Sequence, residues 1–328
     1  MDDPRDNMES RDGGQETAPP SGGIGPPSFA AIETPPLIGP VVFGFLVLAV
    51  AFFAYQILGG LISFLLFGLG AEGDIQGMRV VTVISQLLFL VLPALLLLGL
   101  QRWKVRDVLR LKMPRLLPLL SVIVAVIAMQ YVVQAYVEVQ QHVLRNYLLP
   151  DSLLPLLDEF EQLLEELYGK LLAMRSPTEA LFVWVVVALT PGFCEEVLFR
   201  GTVQYSFERG MRVRWALLLN GVIFSLFHLN PVTFVPLTML GVFFAVITWR
   251  SGSIGYAVVA HITNNTLAVV ALYVFQSDTL LPAESAGATP SAGVLLISGG
   301  IGLLVFAASV ALFWVLTADR ETETLNAL

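Results

Sequence analysis

Seven residues hold most of the chemical capacity of this chain: Glu195, Glu196 and Arg200 in CEEVLFRG, Phe224 and His228 in FSLFH, and His261 and Asn265 in HITNN. Each group interrupts sequence that is otherwise nearly pure hydrocarbon. An ionisable side chain at membrane depth is costly, so its presence there points to a functional site. The chain has three histidines, and two of them lie in these patches. One carboxylate, two imidazoles and a carboxamide are enough to hydrolyse an amide. Glu195 and His228 can activate a water, while His261 and Asn265 donate hydrogen bonds to the tetrahedral oxyanion. A rival assignment is a divalent metal such as zinc held by Glu195, His228 and His261, since two histidines and a glutamate form a known catalytic zinc set. A contiguous His-Glu-x-x-His helix is absent, so such a site would be assembled from three helices. The spacing leaves both assignments open.

Helical periodicity divides these residues further. Glu196 and Arg200 are four apart and share a face, which predicts an ion pair, and an interhelical lock is the competing explanation for both. Glu195 projects about 100° away and is free for a different task. Phe224 and His228 also share a face, with Phe224 expected to pack. His261 and Asn265 do the same, and Asn264 is expected to hydrogen-bond between helices. Thr190-Pro191-Gly192 should kink or loosen the helix just upstream of the acidic pair. If the chain turns near Gly210-Met211, Glu195 and His228 each lie about 24 Å from the turn and face one another. His261 begins only about 12 Å from the turn at Ser251-Gly252, so the helices must tilt and break, or the Arg209–Arg214 turn must be partly sunk. Cys194 is expected to be a buried, inert thiol and His142 a surface residue.

The elements that must position these groups are membrane helices. Of 328 residues, 56% are hydrophobic and only 13% charged, about half the charged content of a globular domain. Apolar runs of about 20 residues suffice to cross the hydrocarbon core. They occur at 41–69, with a kink expected at Gly59-Gly60, and at 80–100, 117–139, 181–199, 215–229, 234–249, 254–275 and 294–316. The fold class expected is therefore all-α, a polytopic transmembrane helical bundle of about eight spans. Between the third and fourth runs, residues 151–174 alternate leucines with Asp158, Glu159, Glu161, Glu165 and Glu166 at helical spacing, which predicts an amphipathic helix outside the core.

The organisation expected is a disordered cytoplasmic tail over 1–40, N-terminal spans over 41–140 and an extramembrane amphipathic helix and loop over 141–177. A reactive core over 178–276 follows, then a loop, a last span and a short tail over 277–328. The tail is rich in Asp, Glu, Pro, Gly and Ser and lacks the basic and apolar regions of a secretory signal. Lysines and arginines cluster after the second, fourth, sixth and eighth spans, which places both termini in the cytoplasm of a protein integral to the cell membrane. Arg79, Arg145, Lys170 and Arg175 fall on the opposite side. The single cysteine rules out an internal disulfide framework, the net charge of −8 says little about partners, and the absence of an aromatic-studded basic stripe disfavours nucleic acid as a partner. The expected partners are the lipid bilayer and a peptide or protein substrate in or near it.

The three patches, in this order on successive apolar helices, resemble the CAAX-prenyl-protease and bacteriocin-processing (CPBP) family of intramembrane proteases. That family includes the type II CAAX prenyl endopeptidases and lysostaphin-resistance-like bacterial proteins. The resemblance covers roughly residues 178–275, and no motif position departs from the pattern. It implies that Glu195 is the catalytic glutamate working with His228 on the attacking water, and that His261 and Asn265 are the oxyanion-stabilising pair. Glu196 and Arg200 match the motif's second Glu and its Arg. Members are commonly labelled metalloproteases, with a metal-free glutamate mechanism as the alternative for the group. The implied substrate is a peptide bond near a membrane, prenylated at a C-terminal C-a-a-X segment in one branch and leader-bearing in another.

Two further classes fit the same residues. A non-catalytic membrane scaffold or regulatory factor would keep the polar cluster for structure alone. A proton- or ion-coupled transporter would use the same ionisable groups, but the chain shows no internal repeat.

Overall fold

The computed structural model describes residues 37–68, 74–276 and 291–318. Most of the expected tail, residue 69 of the first run, the loop at 277–290 and the chain from 319 onward lie outside the described residues. Among those described, ten helices follow one another and no strand occurs. They are α1 (Pro40–Phe67), α2 (Ile75–Gln101), α3 (Val105–Leu109), α4 (Leu116–Leu148), α5 (Leu154–Leu171), α6 (Pro177–Gly210), α7 (Val213–Phe227), α8 (Phe234–Ser251), α9 (Ile254–Gln276) and α10 (Ala292–Leu316). Seven are long and apolar enough to cross a membrane. The eighth apolar helix, α7, has 15 residues, about 22 Å. The protein is a polytopic helical bundle of about eight spans.

Two apolar cores hold the bundle together. Phe43, Val47, Leu90, Leu98, Leu198, Phe207 and Phe224 join α1, α2, α6 and α7. Val122, Val126, Phe243, Ile247, Tyr256 and Phe313 join α4, α8, α9 and α10. Lipid is as apolar as leucine, so close packing and interhelical hydrogen bonds drive such association rather than escape from water. The crossing of α7 and α8 shows this. A Cβ on Gly241 would stand 2.8 Å from Gly221 Cα, an approach that only glycine permits.

The fourth membrane helix runs further than its apolar stretch predicts, to Gly210 rather than to residue 199. Polar residues end the apolar run, yet each finds a partner. Gln204 donates to Ala245 O at 3.0 Å and to Glu208 Oε1 at 2.7 Å, Ser206 donates to Thr202 O at 2.6 Å, and Arg110 pairs with Glu208. A buried polar side chain that finds hydrogen-bond partners need not end a helix. The helix also begins earlier, at a serine N-cap: Ser176 Oγ accepts from Glu179 N at 3.2 Å behind Pro177, and Glu179 Oε2 accepts from Arg175 N at 2.7 Å,.

The amphipathic segment forms α5 and is fastened at both ends. Arg145 of α4 pairs with Asp158 at 2.7 Å and Glu161 at 2.6 Å. Arg79 of α2 is buried, donating to Leu171 O at 3.0 Å and Ala173 O at 2.5 Å. The charge-counting expectation treats Arg79 as a loop cation. Instead it caps the C-terminal carbonyls of α5, where a cation is also favoured by the helix dipole.

Five stretches inside these helices widen to π-helical geometry: Phe53–Gly59, Leu87–Val91, Leu144–Leu148, Val185–Leu189 and Val197–Val203. The kink expected at Gly59-Gly60 takes this form, with the widening just before an unbroken Gly60. Such bulges are rare and concentrate at functional sites.

Candidate functional site

Pro191 is where the sequence begins to shape the site. It has no N–H, so the carbonyl of Val187 four residues back loses its helical donor. The helix widens over Val185–Leu189 instead of breaking. Thr190 Oγ1 donates to Val185 O at 2.7 Å, and Asn265 Nδ2 donates to Val187 O at 2.8 Å. Asn265 of α9 thus supplies from across the interface the hydrogen bond that Pro191 cannot make. Its orientation is fixed by elimination. Val187 O only accepts, so Asn265 turns its nitrogen there, and its Oδ1 accepts from Asn264 Nδ2 at 2.9 Å,. Asn264 Oδ1 in turn accepts from Gln130 Nε2 of α4 at 2.9 Å. The interhelical role expected of Asn264 is what the structure contains.

One turn on, Gly192 sets the distance between α6 and α9. A Cβ there would meet Ile262 Cγ1 at 2.6 Å and Ile262 N at 3.2 Å. This approach carries Glu196 to His261. Glu196 Oε1 accepts from His261 Nδ1 at 2.8 Å and from Arg200 Nη1 at 2.9 Å. Arg200 Nη2 donates to Gly241 O at 3.0 Å, and its guanidinium lies over the Phe224 ring at 4.4 Å. Glu196 and Arg200 are both 0% exposed. Phe224 packs against His228, His261 and the guanidinium. A charge triad with an aromatic lid is thereby sealed between α6, α7, α8 and α9.

Glu195 leaves the same turn in another direction and finds His228. Its Oε2 stands 3.9 Å from His228 Nε2, with side chains 16% and 33% exposed. Among the described residues, that buried oxygen has no hydrogen-bond partner. The gap is too long for a direct hydrogen bond and suits one bridging water. His228 Nδ1 lies 2.8 Å from Phe224 O. A carbonyl only accepts, so Nδ1 carries the proton, and in the neutral ring Nε2 is the bare nitrogen facing Glu195.

The pair opens on a cavity of about 200 Å³ lined by Tyr55, Gln56, Leu90, Tyr168, Glu195, Phe199, Phe227 and His228. Three of the π-helical stretches supply wall residues: Tyr55 and Gln56, Leu90, and Phe199. Tyr55, Gln56, Leu90 and Tyr168 went unnoticed in the sequence, because none carries a charge or a motif. Leucine spacing marked Tyr168 only as part of an amphipathic helix.

His261 and Asn265 do not line this cavity. His261 is engaged with Glu196 and Asn265 with Val187 O. The alternative ligand set of Glu195, His228 and His261 is not drawn together in this arrangement. Among the described residues, no three His, Cys, Asp or Glu side chains are grouped to hold a metal ion. His261 belongs to the partner set of Glu196 instead. Cys194 is buried in the apolar core, and His142 is exposed on α4.

No curated protein and no solved structure matches the chain. All seven motif residues fall inside the one segment, residues 177–267, that matches the family model for the type II CAAX prenyl endopeptidases, Rce1-like. The chain is a helical membrane protein in which residues 177–267 match the Rce1-like type II CAAX prenyl endopeptidase family model, consistent with the CPBP proteases.

Proposed function

We propose that the protein is an intramembrane endopeptidase that cleaves a membrane-associated peptide, prenylated or leader-bearing, with a water activated by Glu195 and His228. The observation carrying this reading is the partnerless Glu195 oxygen 3.9 Å from His228 Nε2 at the cavity. Two acceptors facing one another can take both hydrogens of a single water, leaving its lone pairs turned to the cavity. The water oxygen adds to the scissile carbonyl carbon as its proton passes to Glu195. When the tetrahedral intermediate collapses, the C–N bond breaks and Glu195 returns that proton to the leaving amine. His228 orients the water throughout, its ring fixed by Phe224 O.

His261 and Asn265 are the oxyanion-side groups in this reading. Asn265 Nδ2 retains a second hydrogen beyond the one given to Val187 O. His261, donating through Nδ1 to Glu196, becomes an oxyanion donor through Nε2 only when its ring carries both protons. The donor set does not assemble a zinc site, so no step is routed through a metal. The membrane served is proposed to be the cell membrane, with both termini cytoplasmic.

The test compares peptide termini in membranes carrying wild type or Glu195→Gln. Termini present only with wild type support the reading. Equal products from both chains, with the variant folded and inserted, would falsify it.

A further inference from the structure

The turn that carries His228 holds its ring against a local cost. His228 is the first residue after α7, and Leu229 behind it has φ +52°, a left-handed conformation that a branched, non-glycine residue adopts only at a cost. Strain of this kind persists only where the surroundings over-determine it. The last four carbonyls of a helix have no intrahelical donor, and here each can be accounted for. Phe224 O accepts from His228 Nδ1, Ser225 O from His228 N at 3.1 Å, and Leu226 O from Leu229 N at 3.1 Å. Phe227 O accepts from Gln56 Nε2 at 2.5 Å.

Three of these caps come from His228 and Leu229 themselves and can hold the turn only while the turn keeps its shape. The fourth comes from α1, 171 residues away. Gln56 sits in the π-helical stretch Phe53–Gly59 and lines the cavity. It also lies outside the 177–267 segment. Its amide orientation follows from chemistry, since Phe227 O only accepts.

We infer that Gln56 is a positioning residue for His228: by capping Phe227 O from α1 it fixes the end of α7, and with it the direction of the imidazole toward Glu195. This rests on the proposed peptidase reading for its kinetic consequence but not for its structural one. Gln56→Leu keeps the bulk and removes the donor. The peptide probe is the one whose cleavage separates wild type from Glu195→Gln. The expected result is a fall in kcat of about tenfold to a hundredfold with KM nearly unchanged, the scale of an active group displaced by about 1 Å.

A second readout needs no substrate. The chain has only three histidines, so the ¹⁵N imidazole signals of the full-length protein in bilayers can be assigned one by one. In wild type His228 should be a single Nδ1–H tautomer, and in Gln56→Leu it should exchange with the Nε2–H form while His261 stays unchanged. If Gln56→Leu fails to insert, the wild-type chain still decides: a dipolar coupling placing Gln56 Nε2 within about 4 Å of the Phe227 carbonyl carbon is required, and its absence overturns the inference. So does an unchanged His228 signal with unchanged kcat in Gln56→Leu. Should His228→Ala and Glu195→Gln leave processing intact while Gln56→Leu still shifts the tautomer, the peptidase reading falls and the positioning link stands.

Discussion

Glu195 and Glu196 leave one turn of α6 about 100° apart, and their surroundings are opposite. Glu196 is sealed, with one oxygen shared between a guanidinium and an imidazole and every neighbouring helix closed over it. Each keeps its Oε2 without a hydrogen-bond partner among the described residues, but Glu195 faces a cavity and stops short of contact with its histidine. A carboxylate paired with an arginine and closed off from the cavity has no access to a substrate. One that opens on a space of a few water volumes can take up a proton and return it. The same residue type is therefore closed in at one position and open to a cavity at the next, and the neighbouring helices decide which.

The contrast can be broken at either carboxylate. Glu195→Gln keeps the shape and removes the base, so cleavage should fall by about 10²–10⁴ with no change in thermal unfolding of the detergent-solubilised protein. A large drop in stability would mean that Glu195 is architectural after all. Glu196→Ala should act the other way round, by leaving Arg200 buried without its counter-ion. A loss of about 3–5 kcal/mol is the expected scale, and a stable but inactive Glu196→Ala would move Glu196 into the reactive pair. Gly192→Ala sharpens the comparison by pushing α9 away from α6. Overpacking of this kind costs about 1–3 kcal/mol, and it should loosen His261 from Glu196 while His228 stays beside Glu195. Imidazole signals read which of the two histidines responds, and a response at His228 alone would contradict the division. The smallest effect expected is from a chelator. Cleavage in its presence should match cleavage without it, and loss restored by added zinc would reinstate a ligand set that the present arrangement does not hold.

Most of the bundle was legible because a membrane span announces itself in composition. The meeting of Glu195 and His228 was legible as well, from two polar interruptions at equal distance from a turn at Gly210-Met211. The contact between His261 and Glu196 was not, because it depends on the approach of α6 to α9 at Gly192 and Ile262, across 65 residues of sequence. Spacing along a chain says which residues share a face but not which face of another helix they meet. Helix ends misled where polarity did, since Gln204, Ser206 and Glu208 look like a loop until their partners are known. The start of α6 was written in Ser176-Pro177-Thr178-Glu179 and passed over in favour of the apolar run behind it. Arg79 was misplaced for a related reason, as a cation counted by position rather than by the carbonyls it can cap.

Half of the cavity wall, Tyr55, Gln56, Leu90 and Tyr168, comes from outside residues 177–267. On the proposed peptidase reading, reactivity and selectivity are encoded in separate stretches of chain. Exchanging the first two spans or the amphipathic helix for those of a cousin would alter which peptides gain admission while the bond-breaking groups stay as they are. A lineage of such proteins can diversify its clientele by editing the vestibule, without risking the reaction.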